Sequence, residues 1–320
     1  MRVTVVVPTF RRPDLLARCL EALARQDVGP SSFEVVVADD EASHATRSLV
    51  EGLARRFPAP SRYVAVTGPH GPAAARNAGW RAATGEVIAF TDDDCVPEPC
   101  WLRAGLAALA GGAAAAAGRV VVPLPEPPTD YQRNESGLER AEFVTANCLV
   151  RRDVLESLGG FDERFSAAWR EDSDLHFALL AAGHSIVAAP LAVVVHPVRP
   201  ARWGVSLRQQ WKSSFDALLF KKHPDLYRRR IRANPPWDYY AIVLFAAAAV
   251  GFACARLVWP AAVAGASWAA LTGRFCARRL RGNSRATGHV AEMVLTSALI
   301  PFLSVFWRLY GAARFRVPFL

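Results

Sequence analysis

Three adjacent carboxylates, Asp92, Asp93 and Asp94, follow the short run Glu86–Phe90. Like charges at a strand end repel one another, and burying them is costly unless a cation compensates. A hard divalent ion, Mg²⁺ or Mn²⁺, held by one or two carboxylates and phosphate oxygens would do so. An acidic turn capping the next helix is the plainer alternative. Glu171-Asp172 stand just before an apolar-periodic run. They read either as a helix cap with a dipole-complementing acid or as a general base facing an attacking hydroxyl. His196 closes the run Ala192–Val195 and precedes a proline. It is a strand-end residue, or a neutral imidazole completing a metal shell. Arg76-Asn77 lie on a small-residue segment opened by Gly71-Pro72-Ala73. A helix N-terminus beside an arginine suits a pyrophosphate, although Gly-Pro opens many ordinary helices.

These residues need a scaffold, and the apolar pattern supplies one. Val3–Val7, Phe33–Ala38, Tyr63–Val66 and Glu86–Phe90 read as strands. Pro13–Arg25, His44–Phe57 and Ala73–Ala83 read as helices between them. Alternation of this kind predicts a parallel, doubly wound α/β sheet, with ligands at the carboxyl ends of the strands. Asp39-Asp40 and Asp92–Asp94 both fall at such ends. Further on, Trp101–Leu109, Arg152–Leu158 and Asp172–Ala182 read as helices. Phe143–Val150, Ser185–Ala189 and Ala192–Val195 read as strands, and Ala113–Ala117 suits either state. Pro123–Gly137, rich in proline and polar residues, reads as a loop.

Charge divides the chain in two. The 320 residues carry a formal +9. Residues 1–198 hold 19 basic against 25 acidic side chains, a balance of −6, and residues 199–320 hold 19 against 4, a balance of +15. A mean hydropathy of +0.13 is high for a soluble enzyme. The excess lies in Tyr239–Ala255, Leu257–Leu271 and Met293–Trp307. Basic clusters precede the first run and follow the second, so a membrane hairpin over 239–272 with both flanks cytosolic is expected. The third run, within 290–310, contains Pro301 and reads as an interfacial or re-entrant helix. Residues 201–236 form a basic amphipathic linker suited to anionic lipid. A soluble helical subdomain is the alternative for the tail. Cys19, Cys95, Cys100, Cys148, Cys254 and Cys276 show no Cys-x-x-Cys spacing, so neither a zinc site nor a disulfide framework is expected.

Five blocks turn separate clusters into one pattern: VVVPTFRRPDLLARCLEAL, VVVADDEA, GPAAARNAGWRAATGEVIAFTDDDCVPEP, TANCLVRRDVLESLGGFDERF and REDSDLHFALLAAG. In this order, over Val3 to His196, they resemble family 2 glycosyltransferases of membrane-associated bacterial type. The resemblance implies the GT-A fold, a Rossmann-like mixed sheet with helices on both faces, over residues 1–200. The helical membrane-associated region follows at 237–320. It also implies a nucleotide-diphosphate sugar as co-substrate, a divalent metal (Mg²⁺ or Mn²⁺) and inversion at the anomeric carbon. Pro8, Thr9 and Arg11 would surround the base and ribose, Asp39 would bond the base, and Arg76 would lie near the diphosphate. Asp92 and Asp94 match the Asp-x-Asp pair, with Asp93 between them in the donor site. Asp94, Asp92 and His196 would serve the metal. Asp172, beside Glu171, matches the catalytic base. Two positions depart from the family pattern: Glu41-Ala42 replace a small residue and serine, and Cys95 replaces an acid.

The expected activity is transfer of a sugar to a hydroxyl of a lipid-linked or cell-envelope glycan. The expected location is the cell membrane, with the catalytic domain in the cytoplasm and no nucleic acid as partner. A sugar-nucleotide-forming nucleotidyltransferase would need a Gly-rich loop near the N-terminus, and Pro8–Pro13 has no glycine. A non-enzymatic basic membrane binder would leave the acidic blocks without a purpose.

Overall fold

The computed structural model describes residues 2–54 and 57–319. Chain contacts divide it into two compact units, Met1–Pro123 with Ser136–Val198, and Leu124–Glu135 with Arg199–Leu320.

The first unit is built on eight strands among the described residues: β1 (Val3–Thr9), β2 (Phe33–Asp39), β3 (Ser61–Ala65), β4 (Val87–Phe90), β5 (Val96–Pro97), β6 (Ala115–Val121), β7 (Cys148–Arg151) and β8 (Ile186–Val195). Their order is β3-β2-β1-β4-β7-β6-β8-β5. Strands β3, β2, β1 and β4 run parallel. Their β-branched runs are continuous because both faces are covered; β2 is buried along its whole length. Helices α1 (Pro13–Leu23), α2 (His44–Ala54) and α3 (Pro72–Arg81) are the crossovers. The part of the second expected helix at 55–56 lies outside the described residues.

Beyond β4 the sheet is mixed, as the resemblance implies, and not parallel throughout as simple alternation suggests. Strand β7 is antiparallel to both β4 and β6, and β6 runs parallel to β8. Helix α4 (Trp101–Leu109) precedes β6, which resolves the ambiguous alanine run as a buried strand. The two short strands expected at 185–195 form one strand, β8. Its register against β6 slips between Gly118 and Arg119, where Ala189 and Val193 pair with neighbouring residues. Pro190 lies in the slipped segment and has no N–H for the ladder. The strand expected from Phe143 starts only at Cys148, because 143–147 form a turn region.

Helices α6 (Arg152–Leu158) and α7 (Glu171–Ala181) complete this unit. Helix α3 presses hard on the sheet. A Cβ on Gly79 would stand 2.4 Å from Cγ1 of Val6.

In the second unit, the expected loop 123–137 contains a helix, α5 (Asp130–Glu135). The basic amphipathic linker expected over 201–236 contains α8 (Val205–Arg208), a 3-10 stretch, α9 (Phe215–Lys222) and α10 (Pro224–Arg230). Three long helices follow: α11 (Trp237–Cys254), α12 (Val258–Leu280) and α13 (Thr287–Phe315). Helices α11 and α13 are long and apolar enough to cross a membrane, and α11 fully buries only Ile242 among its described residues. Helix α13 runs unbroken through Pro301 for 29 residues. Leu295, Leu299, Phe302, Phe306 and Leu309 are exposed at steps of four and three, one apolar stripe. Its buried residues mix polar His289, Thr296, Ser297 and Arg308 with apolar Met293, Ile300 and Val305. Arg279 of α12 donates to Asp130 (2.7 Å), Thr296 (2.7 Å) and Ser297 (3.1 Å), which ties α5 to α12 and α13.

Candidate active site

Parallel pairing brings the carboxyl ends of β1, β2 and β4 side by side. Thr9 ends β1, Asp39 ends β2, and Asp92–Asp94 follow β4. Pro8, partly buried, precedes Thr9 inside β1. The Thr9 hydroxyl donates to Asp93 Oδ2 at 2.8 Å, and Arg12 Nη1 donates to Asp93 Oδ1 at 3.2 Å. Arg12 also stands 3.9 Å from Asp94 Oδ2. Burial raises the Asp93 carboxyl to about 6 against the pull of Arg12 and Thr9, with the charges of Asp94 and Asp92 adding to the rise. For Asp92, burial pushes upward, but Arg76 and His196 outweigh it and hold the carboxyl below its usual range.

Asp94, Cys95 and His196 offer donor atoms within 4.8 Å of one another. His196 stands at the end of β8, its N–H held by Val121 O at 2.8 Å. Its Nε2 lies 3.5 Å from Asp94 Oδ1. Its Nδ1 is buried with no hydrogen-bond partner among the described residues. Burial, and then Asp92 and Asp94, push the Cys95 thiol well up. Asp94 and His196 offer a carboxylate oxygen and an imidazole nitrogen, a donor set that fits a divalent cation such as Mn²⁺.

At the end of β2, Asp39 is fully buried. Its carboxylate accepts from Glu41 N–H (3.1 Å), Ser43 N–H (2.8 Å) and the Tyr63 hydroxyl (3.0 Å). Burial, and then the bond to Asp39, raise the Tyr63 phenol. Asp39 thus holds the turn after β2, and its neighbour Asp40 accepts from Gly71 N–H at 2.9 Å and contacts His70 Nδ1 at 3.0 Å. Arg11 is exposed, has a left-handed backbone (φ 57°), and pairs through Nε with Glu41. The departure at Glu41 therefore has a local partner. Arg12, Tyr63 and His70 were not singled out from sequence, and Asp40 was noted only as a strand-end acid beside Asp39. Arg12 follows Arg11 and Asp40 follows Asp39 directly, so adjacency to a motif residue was the available signal.

Glu171 and Asp172 open α7, directly after Arg170, whose φ is 77°. Asp172 is half-buried, and its Oδ1 accepts from Ser173 N–H at 2.6 Å. Glu171 is buried and pairs with Arg76. Burial raises its carboxyl to about 7 against the pull of Arg76, and the Asp172 charge adds to the rise. Arg76 is 3% exposed and bonds both Asp92 and Glu171. Arg76, Asp172 and Asp92 all act on the buried Cys148 thiol, so the two acidic blocks lie in one neighbourhood.

Residues 4–159 match the model for glycosyl transferase family 2, and residues 130–309, more than half the chain, match glycosyl transferase family group 2. The chain is 29% identical over 225 residues to glycosyltransferase AglE of Haloferax volcanii, covering 66% of this chain and 71% of that protein. It is 34% identical over 211 residues to succinoglycan biosynthesis protein ExoM of Rhizobium meliloti, covering 62% and 67%. In fold it is similar to mannosyltransferase PcManGT of Pyrobaculum calidifontis, solved with GDP-Man and Mn²⁺, with a TM-score of 0.58, 21% identity, and 98% and 87% coverage. The chain belongs to glycosyl transferase family 2 and is an enzyme of that family.

Proposed function

We propose that this enzyme moves a sugar from a nucleotide-diphosphate donor to a hydroxyl of a lipid-linked or cell-envelope glycan, with inversion at the anomeric carbon. The observation that carries the reading is the gathering of Asp92–Asp94, His196 and the Glu171-Asp172 pair in one neighbourhood of the sheet. Pro8, Thr9, Arg11 and Asp39 frame the nucleotide end, and Asp92 and Asp93 border the diphosphate. Asp94 and His196, with Asp92 beside them, would hold a divalent ion, whose chemistry there is to neutralise charge on the departing diphosphate. Asp172, the less buried acid of its pair, takes the proton of the attacking hydroxyl.

The uncovered apolar surface of α11 and the stripe on α13 support a membrane site of action. Helix α11 enters the lipid with α12 as its hairpin partner, and α13, which is also long and apolar enough to cross, lays its outer stripe against lipid. Basic clusters at both ends of the hairpin favour a cytoplasmic catalytic unit and contact with anionic lipid.

The test is Asp172→Asn. The variant is expected to fold and to bind donor nucleotide in a chelator-sensitive way, with transfer lost by at least about a hundredfold, the usual scale for general-base removal. Near-wild-type transfer would remove Asp172 as the base. Nucleotide binding indifferent to EDTA would remove the metal.

A further inference from the structure

We propose that Arg76 is a positioning residue: it fixes the base-bearing start of α7 against the Asp92–Asp94 turn and does not itself contact the diphosphate. The inference rests on the transfer reading above.

Arg76 lies on α3, whose residues 73–77 are all buried. The close approach at Gly79 leaves this helix little freedom to shift. From there the guanidinium reaches in two directions. Nη2 donates to Asp92 Oδ1 at 2.7 Å, and Nη1 donates to Glu171 Oε1 at 3.0 Å. The remaining nitrogen, Nε, is buried without a partner among the described residues. A diphosphate contact needs an accessible donor, and the side chain of Arg76 is 4% exposed. The planar fork of arginine suits a bridge between two carboxylates, whereas a lysine ammonium is a single point charge.

The next residue repeats the grip. Asn77 Nδ2 donates to Phe161 O at 2.8 Å and to Glu163 Oε1 at 2.7 Å, while Phe161 N–H donates to Asn77 Oδ1 at 2.9 Å. One turn of α3 therefore clamps the chain at 161–163 and again at 171. The left-handed Arg170 stands directly before the second clamp point. Asp172 is bonded through the peptide to Glu171, so its place depends on the Arg76 bridge. On this reading Glu171 is also a positioning residue, and Asp172 alone takes the proton.

Arg76→Lys and Glu171→Gln test this in the full-length enzyme. Two quantities are measured: kcat at saturating donor, and the Kd of whichever of UDP, GDP or dTDP binds the wild type with Mn²⁺. Both variants are expected to lower kcat by at least about tenfold, because a displacement near 1 Å at a reacting group is felt strongly. Nucleotide Kd should stay within about threefold, since no donor contact is removed. The double variant should lose little more than either single one, because both changes break one bridge. Melting temperatures identify any variant that does not fold, and Glu171→Gln, nearly isosteric, carries the test if Arg76→Lys unfolds. A tenfold or greater weakening of nucleotide binding in Arg76→Lys would make the arginine a diphosphate contact and overturn the proposal. Unchanged kcat in Glu171→Gln would overturn it as well. Failure of the transfer reading looks different: the wild type would bind no nucleoside diphosphate, or Asp172→Asn would keep its activity.

Discussion

Glu171 is an acid buried beside both a cation and another acid, and these influences oppose each other. Burial and the Asp172 charge disfavour its anion, Arg76 favours it, and the net effect is a carboxyl raised to about 7 from 4.5. Between these values the folded state binds more protons than the unfolded state. Stability from this group is therefore greatest below about 4.5 and is lost as pH rises through about 7. Glu171→Gln, which cannot ionise, should escape that loss. Melting temperatures taken without metal from pH 5 to pH 8 should show the variant gaining on the wild type as pH rises. A constant difference across that range would mean that Glu171 does not titrate there. Motif residues such as Asp92, Asp94 and Asp172 were legible in the sequence because their types and spacing are local. The Arg12–Asp93 and Arg76–Glu171 pairs were not, since they join residues far apart in the chain. Nor could the sequence show that Asp39 accepts bonds from its own turn and from Tyr63. That requires the β2–β3 register to be known.

At the scale of elements, the four parallel strands were readable because strands covered on both faces are unbroken β-branched runs. The antiparallel β7 and the slipped β8 were harder. In β8 a proline interrupts the apolar run, and in one dimension an interruption looks like an end. The fit of α3 on β1 explains why a segment of small residues stands where an ordinary amphipathic helix would serve. Gly79 lets the backbone approach Val6, and the same approach sets where Arg76 and Asn77 reach. Gly79→Ala keeps helix propensity, and indeed improves it by about 1 kcal/mol. It also forces a methyl to within 2.4 Å of Val6 Cγ1. Overpacking of this kind costs about 1–3 kcal/mol, so a net loss of stability is expected despite the better helix former. Denaturant unfolding measures it, and a stabilised variant would show that α3 can retreat from the sheet.

On the scale of the whole molecule, the basic balance of +15 belongs to the part that carries long apolar helices, while the acidic balance belongs to the part that carries the site. The second unit buries an apolar core that includes Phe215, Leu218, Met293 and Ile300, and Arg279 donates to Asp130, Thr296 and Ser297, while Leu244, Val250, Phe252 and Val263 stand exposed. The connection between α11 and α12 is the clearest case. Leu257, Val258 and Trp259 are 49%, 74% and 82% exposed there, and water would be a poor solvent for such a cluster. At the other end of the hairpin, Asp238 and Arg278 form an ion pair at 2.8 Å, which suits the polar boundary. Charge and apolar insertion should therefore separate experimentally. If lipid headgroups alone hold the enzyme, high salt should release it, since exposed charges are screened within about 10 Å at 0.1 M ionic strength. If the hairpin is inserted, the enzyme should stay with membranes in high salt and leave only with detergent. Val258→Glu with Trp259→Glu places two charges at the tip, each opposed by about 2–4 kcal/mol if it must enter the hydrocarbon. That double variant is expected to shift toward the salt-extractable fraction while its catalytic unit still binds nucleotide. Full release of the wild type by salt without detergent would remove the hairpin from the bilayer.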